Sequence, residues 1–279
     1  MNRFELTAGP EDEGKLLLSF LRARHPMAPG HVLQGALKAR DVKLNGVRTP
    51  VNAAVHAGDL VVWFTAWDEP ELEIIYEDEY LMIINKPSGI SSDRQEDGAM
   101  SVEEWGEGRG VSIVHRLDQQ TSGLLILSKS DDIKTALEEA LRMHQIEKRY
   151  QCLVTGVPER SHAVLRAYLH KDPKLGKVSV SEKPGRFAKE IVTEYDVMEA
   201  KGDYARLLVT LHTGRTHQIR AHMAFIGHPL LGDDKYGSRE ANRSLKARKL
   251  MLCSTWLCFQ TQGALAYLHG QAFGIQPPF

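Results

Sequence analysis

The run from His115 to Lys129, H-R-L-D-Q-Q-T-S-G-L-L-I-L-S-K, constrains this chain more than any other stretch. One carboxylate, Asp118, stands between a basic pair, His115 and Arg116, and a Thr-Ser-Gly turn that leads into an apolar strand candidate. A carboxylate held beside a cation stays ionised and can act as a nucleophile or a base. The strand offers it a rigid mount. A lone Asp of this kind is most often a turn acid or a helix cap, so the weight falls on its surroundings.

Those surroundings are mixed α and β. Leu72 to Tyr76 and Tyr80 to Asn85 are apolar enough for buried strands, and Pro87 ends the second. Ser122 to Ser128 is another strand candidate. Ser130 or Asp131 can cap the next helix, whose apolar stripe is Ile133, Leu137, Ala140 and Leu141. Tyr150 to Thr155 returns as a strand stopped by Gly156. Ala205, Leu207, Val209 and Leu211 alternate as in a half-buried strand. A helix is expected over about Thr216 to Ile226, with Ile219, Met223 and Ile226 inward and Gly227 as its stop.

Charge divides the chain. Gly14 to Ala66 carries seven Lys or Arg against two acids, whereas Asp68 to Glu79 carries seven acids and no base. The acidic run, with Pro70, reads as a linker between domains spanning 1–67 and 68–279. In the first, Leu16 to Leu21 and Val32 to Arg40 read as helical. D-V-K-L-N-G-V reads as a strand entering a tight Asn45-Gly46 hairpin turn, and A-G-D-L-V-V-W-F as a turn and strand. Lys38, Arg40, Lys43 and Arg48 are the candidate phosphate contacts. The bland alternative is a small domain with a solvated basic face.

The whole-chain charge of −1 does not itself attract nucleic acid, so binding must come from local patches. Cys152, Cys253 and Cys258 form no C-x-x-C pair and suit a reducing compartment. No apolar run has the length of a membrane span or a signal peptide, which leads to the expectation of a soluble, cytoplasmic protein without membrane contact; a monomer is also expected. His212, His217, His222 and His228 lack metal-ligand spacing, and G-E-G-R-G at 106–110 lacks the ending of a phosphate loop and reads as a flexible loop. Six bases against one acid between Lys235 and Lys249 are either a solvated segment or phosphate contacts.

Three separated motifs give the chain a specific resemblance. H-R-L-D at 115–118, K-R-Y at 148–150 and T-G-R-T-H-Q-I-R at 213–220 resemble, in order, the signatures of the RluA-like pseudouridine synthases. A-K-E-I-V-T-E-Y and H-P-L-L-G-D-D-K-Y-G continue the pattern, so the likeness spans about Leu72 to Phe259. It implies an α+β fold, a largely antiparallel central sheet with flanking helices, and isomerisation of uridine within RNA. It also implies roles. Asp118 is the catalytic carboxylate, Arg215 its ion-pair partner and Tyr150 the platform for the target base. Arg116 approaches the flipped nucleotide, and Leu250 and Leu252 wall the pocket. The usual R-L-x-L-H-A is here Lys249 to Ser254, with Cys253 and Ser254 departing from it. Residues 14–64 resemble the small S-four-like RNA-binding module, departing at H-P-M-A-P-G. That module makes ribosomal RNA the expected partner ahead of transfer RNA.

The implied reaction moves a base from nitrogen to carbon attachment. It needs no redox change and no net proton uptake, so no cofactor or metal is expected. The base must leave its stack, which calls for an aromatic platform and an apolar pocket. Two other classes stay open: an RNA-binding protein that keeps the fold without catalysis, and a metal-dependent hydrolase built on the histidines.

Overall fold

A computed structural model describes residues 1–25, 28–49, 53–68, 72–96, 100–172 and 177–279. Pro70 of the acidic run, and Pro26 and Met27 of H-P-M-A-P-G, lie outside them. Two compact units result. The first holds Met1–Leu72 and Gly89–Gly110; the second holds Glu73–Ser88 and Val111–Phe279.

The first unit begins with β1 (Asn2–Thr7), where Phe4 and Leu6 alternate with exposed Arg3 and Glu5. This period-two strand was not foreseen from the sequence. It is followed by β2 (Lys15–Leu16), α1 (Leu17–Arg24), α2 (Gly30–Lys38), β3 (Val42–Leu44), β4 (Val47–Arg48), β5 (Ala54–Val55) and β6 (Leu60–Thr65). A sheet in the order β1-β6-β3-β4 packs on the helices through Leu17, Phe20, Leu33, Leu37, Val42 and Trp63. Asn45 and Gly46 turn β3 into β4 with φ of 50° and 83°, the two positive values of a primed hairpin turn. Within 89–110, α3 (Val102–Glu107) starts with a reciprocal Ser101–Glu104 capping box. That helix ends at Glu107, so Gly106 and Glu107 of the expected loop at 106–110 are helical and residues 108–110 form a turn.

The second unit is α+β, as expected. Its elements are β7 (Glu73–Glu77), β8 (Leu81–Lys86), β9 (Ser112–Ile113), β10 (Ser122–Ser128), α4 (Asp131–Arg142), β11 (Ile146–Thr155), β12 (His162–Asp172), β13 (Lys177–Ser181), β14 (Lys189–Lys201), β15 (Tyr204–Leu211), α5 (Gln218–Phe225), α6 (Arg239–Ser244), β16 (Leu252–Phe259) and β17 (Ala272–Gly274). Among the described residues these form an eleven-stranded sheet, β13-β12-β14-β15-β11-β16-β10-β8-β7, with β17 on β16 and β9 on β10. Its pairs are antiparallel except β10 with β16. That parallel pair joins the halves of the sheet. It depends on Gly123, where φ is +114° and a β-carbon would stand 2.2 Å from the Ser254 carbonyl oxygen.

β10 is buried along its whole length, which suits its position inside the sheet. β7 differs from expectation. It is an edge strand with Ile74 43% exposed, because β8 covers one side of it only. Ser130 caps α4 by accepting the Ile133 amide, and Leu137 and Ala140 enter a core with Leu81, Ile83, Leu124, Ile126 and Phe259. No helix among the described residues is long and apolar enough to cross a membrane.

Candidate active site

Asp118 lies in the loop between β9 and β10, in the second unit. Its carbonyl accepts the Thr121 amide at 2.9 Å and closes a turn over Gln119 and Gln120. The end of β8 clamps that turn. Lys86 Nζ donates to the Gln119 carbonyl at 3.2 Å and to the Pro87 carbonyl at 3.1 Å, and Ser88 Oγ donates to the Gln120 carbonyl at 2.8 Å. Lys86 is fully buried, and burial pushes its pKa down to about 7 against the opposing pull of the Asp118 charge.

His115 departs from the expected basic pair. Burial, helped by the nearby Lys148 charge, lowers its pKa to about 3. Its Nε2 accepts the Ile126 amide at 3.3 Å, so the ring is neutral and braces the loop on β10. Arg116 is exposed on the same loop.

The arginine beside Asp118 is Arg220, not the expected Arg215. Arg220 Nη1 donates to Asp118 Oδ2 at 3.3 Å. Its Nε and Nη2 grip Asp233 at 2.7 and 2.9 Å, and Nη2 also reaches Asp234 at 3.3 Å. Burial opposes the guanidinium charge, but Asp233 and then Asp118 outweigh it, so its pKa is raised. Asp233 is lowered in return: Arg220 and the Tyr236 and Lys235 amides overcome its burial. The reason for the exchange is local. Arg215 sits in the turn before α5, where buried Gln218 accepts its amide at 3.1 Å and donates to the Val192 carbonyl and Thr193. That anchoring leaves the Arg215 side chain exposed, with no ion pair among the described residues, while the first turn of α5 carries Arg220 inward.

His217 and Tyr236 complete the cluster. His217 Nε2 is 3.9 Å from Asp118 Oδ2, and its Nδ1 is 2.9 Å from the Tyr236 hydroxyl. That hydroxyl accepts the Val178 amide at 3.0 Å, and the Tyr236 ring lies 5.4 Å from the Arg220 guanidinium carbon. Of Lys86, His217, Arg220, Asp233 and Tyr236, only His217 was weighed from the sequence, and only as one of four histidines without metal-ligand spacing. Four of the five do lie inside T-G-R-T-H-Q-I-R and H-P-L-L-G-D-D-K-Y-G, which was the available signal.

Tyr150 is 6% exposed on β11, opposite Val209 on one side and Ser254 on the other. Burial pushes its phenol up, and the negative charge of Asp118 adds to this. Leu252 pairs with Cys152, two residues from Tyr150 and on the same face of β11. Leu250 is also buried, just before β16. His212, His222 and His228 bond Glu194, Thr193 and the Thr155 carbonyl respectively. Cys152, Cys253 and Cys258 are free thiols.

In the first unit Lys43 and Arg48 are cross-strand partners, and Arg48 donates to the Arg40 carbonyl at 3.2 Å. Lys38 closes α2 two residues before Arg40, and both are exposed. Lys15 and Arg24 pair with buried Asp12, which reduces the free basic surplus of this segment.

The sequence profile of the RNA pseudouridylate synthase family matches residues 80–225, just over half of the chain. The uncharacterised RNA pseudouridine synthase YlyB of Bacillus subtilis (strain 168) is 30% identical over 86% of this chain and 85% of its own length. Ribosomal large subunit pseudouridine synthase D of Zymomonas mobilis is 35% identical over 76% of this chain and 68% of its own. The structure of human RNA pseudouridylate synthase domain containing 1 superposes with a TM-score of 0.63, covering 77% of this chain and 87% of its own at 22% identity, which bears on fold alone. The chain thus belongs to the RNA pseudouridylate synthase family, isomerases that act on RNA.

Proposed function

We propose that this chain converts uridine to pseudouridine in ribosomal RNA and that Asp118 is its reacting carboxylate. The observation that carries the reading is the Asp118–Arg220 ion pair, formed by a guanidinium that is itself almost fully buried. A carboxylate held this way can attack the ribose or the ring, or take up a proton. Tyr150 is the surface on which the flipped base packs, and Leu250 and Leu252 are the apolar wall. Arg116, two residues from Asp118 and exposed, approaches the nucleotide that leaves the stack. Arg220 takes the ion-pair role that the resemblance gave to Arg215, and the exposed Arg215 is free to contact phosphate.

Ribosomal RNA as the substrate is supported by the relative named as a large-subunit synthase. Residues 1–67 act as an S-four-like RNA-binding module, with Lys38, Arg40, Lys43 and Arg48 on phosphates, and 68–279 carries catalysis. The clustering of Arg40, Lys43 and Arg48 around one hairpin supports this use.

The test is tritium release from RNA labelled at carbon 5 of uracil, because the new carbon–carbon bond expels that tritium. Ribosomal RNA should release it with wild-type protein and not with Asp118→Asn. Release from transfer RNA alone would sink the substrate assignment. Equal release by both proteins would sink the role of Asp118.

A further inference from the structure

We infer that His217 is a positioning residue that fixes which oxygen of Asp118 meets the substrate. The inference rests on Asp118 being the reacting carboxylate. Asp118 Oδ2 faces two donors, Arg220 Nη1 at 3.3 Å and His217 Nε2 at 3.9 Å. Oδ1 accepts no hydrogen bond among the described residues. The carboxylate is therefore held by one oxygen and presents the other.

The partners of His217 allow one tautomer that aims a donor at Asp118. The Tyr236 oxygen already accepts the Val178 amide, so its own O–H is available to donate to His217 Nδ1 at 2.9 Å. With the Tyr236 O–H taken as donor to Nδ1, a neutral ring carries its proton on Nε2, the nitrogen facing Asp118. Burial lowers the His217 pKa against the pull of Asp118, consistent with a neutral ring. At 3.9 Å Nε2 faces Oδ2 without a hydrogen bond between them.

The backbone supports the same assignment. His217 has φ of +53° at the N-cap of α5 and makes no side-chain cap bond there. A left-handed conformation is disfavoured for a residue with a β-carbon, and such residues gather at functional sites. Here that conformation precedes the helical turn that carries Arg220, and the His217 ring packs edge-on against Tyr236 at 5.6 Å. Val178–Tyr236–His217–Asp118 is thus a chain of oriented groups that ends on the reacting carboxylate.

The experiment compares His217→Ala, His217→Gln, Tyr236→Phe and the double variant His217→Ala/Tyr236→Phe in single-turnover tritium release, with RNA affinity measured by filter binding and folding by thermal melting. Gln keeps a donor at the distance of Nε2 and bears the same backbone strain. His217→Ala should lower the rate by up to about 100-fold, with RNA affinity unchanged. His217→Gln should recover most of the rate. Tyr236→Phe should slow the wild-type background and add nothing in the His217→Ala background, because it acts through that ring. A wild-type rate in His217→Ala overturns the inference. So do equal losses in the Ala and Gln variants, or a loss confined to affinity. Asp118→Asn run alongside separates the two failures. If it is inactive while His217→Ala is fully active, only this inference falls; if it is active, the catalytic reading of Asp118 falls too.

Discussion

Arg220 reaches Asp118 at 3.3 Å across 102 positions of sequence, with the rest of its guanidinium clasped by Asp233. The fork geometry matters. One planar group satisfies a buried carboxylate with two bonds and still turns a third nitrogen toward the loop that holds Asp118. Asp233 in turn is fixed by the amides of Lys235 and Tyr236, so the position of Asp118 depends on the loop after α5.

Arginine variants should separate the two candidates. Arg220→Ala leaves buried Asp233 without its cation and should cost about 3–5 kcal/mol in chemical denaturation, with activity lost. Arg220→Lys keeps the charge but loses the fork, and should recover little of the activity. Arg215→Ala, at an exposed position, should change stability by less than about 0.5 kcal/mol. Its effect should appear in RNA affinity and not in the single-turnover rate.

Gly123→Ala should break the join between the halves of the sheet. The added β-carbon meets the Ser254 backbone, and φ of +114° disfavours any side chain. A loss of about 3 kcal/mol or more is expected. Urea denaturation of the purified variant measures it, and wild-type stability would show that β10 and β16 can separate freely.

Acid should destabilise the fold through buried histidine. Burial lowers the pKa of His222 from 6.5 to about 4, so the native ring stays neutral where the unfolded one takes up a proton. That stability is complete above pH 6.5 and is lost as pH falls toward 4, by up to about 3 kcal/mol. His115 adds a loss of the same sign that continues to about pH 3. Melting temperatures across this window should fall more gently for His222→Gln than for wild type.

Phosphate contacts should appear in the salt dependence of binding. Removing Arg40 or Lys43 should weaken binding for all sequences alike and reduce the slope against log salt by about one each. Arg24→Ala should leave that slope unchanged and lower stability, because Arg24 is occupied with Asp12 and Glu11. Filter binding over a range of salt concentrations distinguishes the two.

The local patterns of the sequence determined much of this protein. The stripe Ile133, Leu137, Ala140, Leu141 became α4, Ser130 capped it, and Asn45-Gly46 made its hairpin. These features are encoded within a few residues, where backbone preference and side-chain period act directly. H-R-L-D likewise drew attention to Asp118, beside which the structure sets Arg220 and His217. Tertiary structure decided the rest. Leu72 to Tyr76 is apolar enough for a core strand, but nothing in the strand itself says that it will lie at an edge. His115 reads as a cation beside Asp118 until desolvation and the Lys148 charge make it neutral, with its Nε2 accepting the Ile126 amide. Arg215 and Arg220 are five residues apart in one motif. The turn fixed by Gln218 leaves one in solvent, and the helix that follows carries the other to Asp118 and Asp233. Charge state and ion pairing depend on what distant segments bring into contact and how far they exclude water, and neither is a property of a short window of sequence.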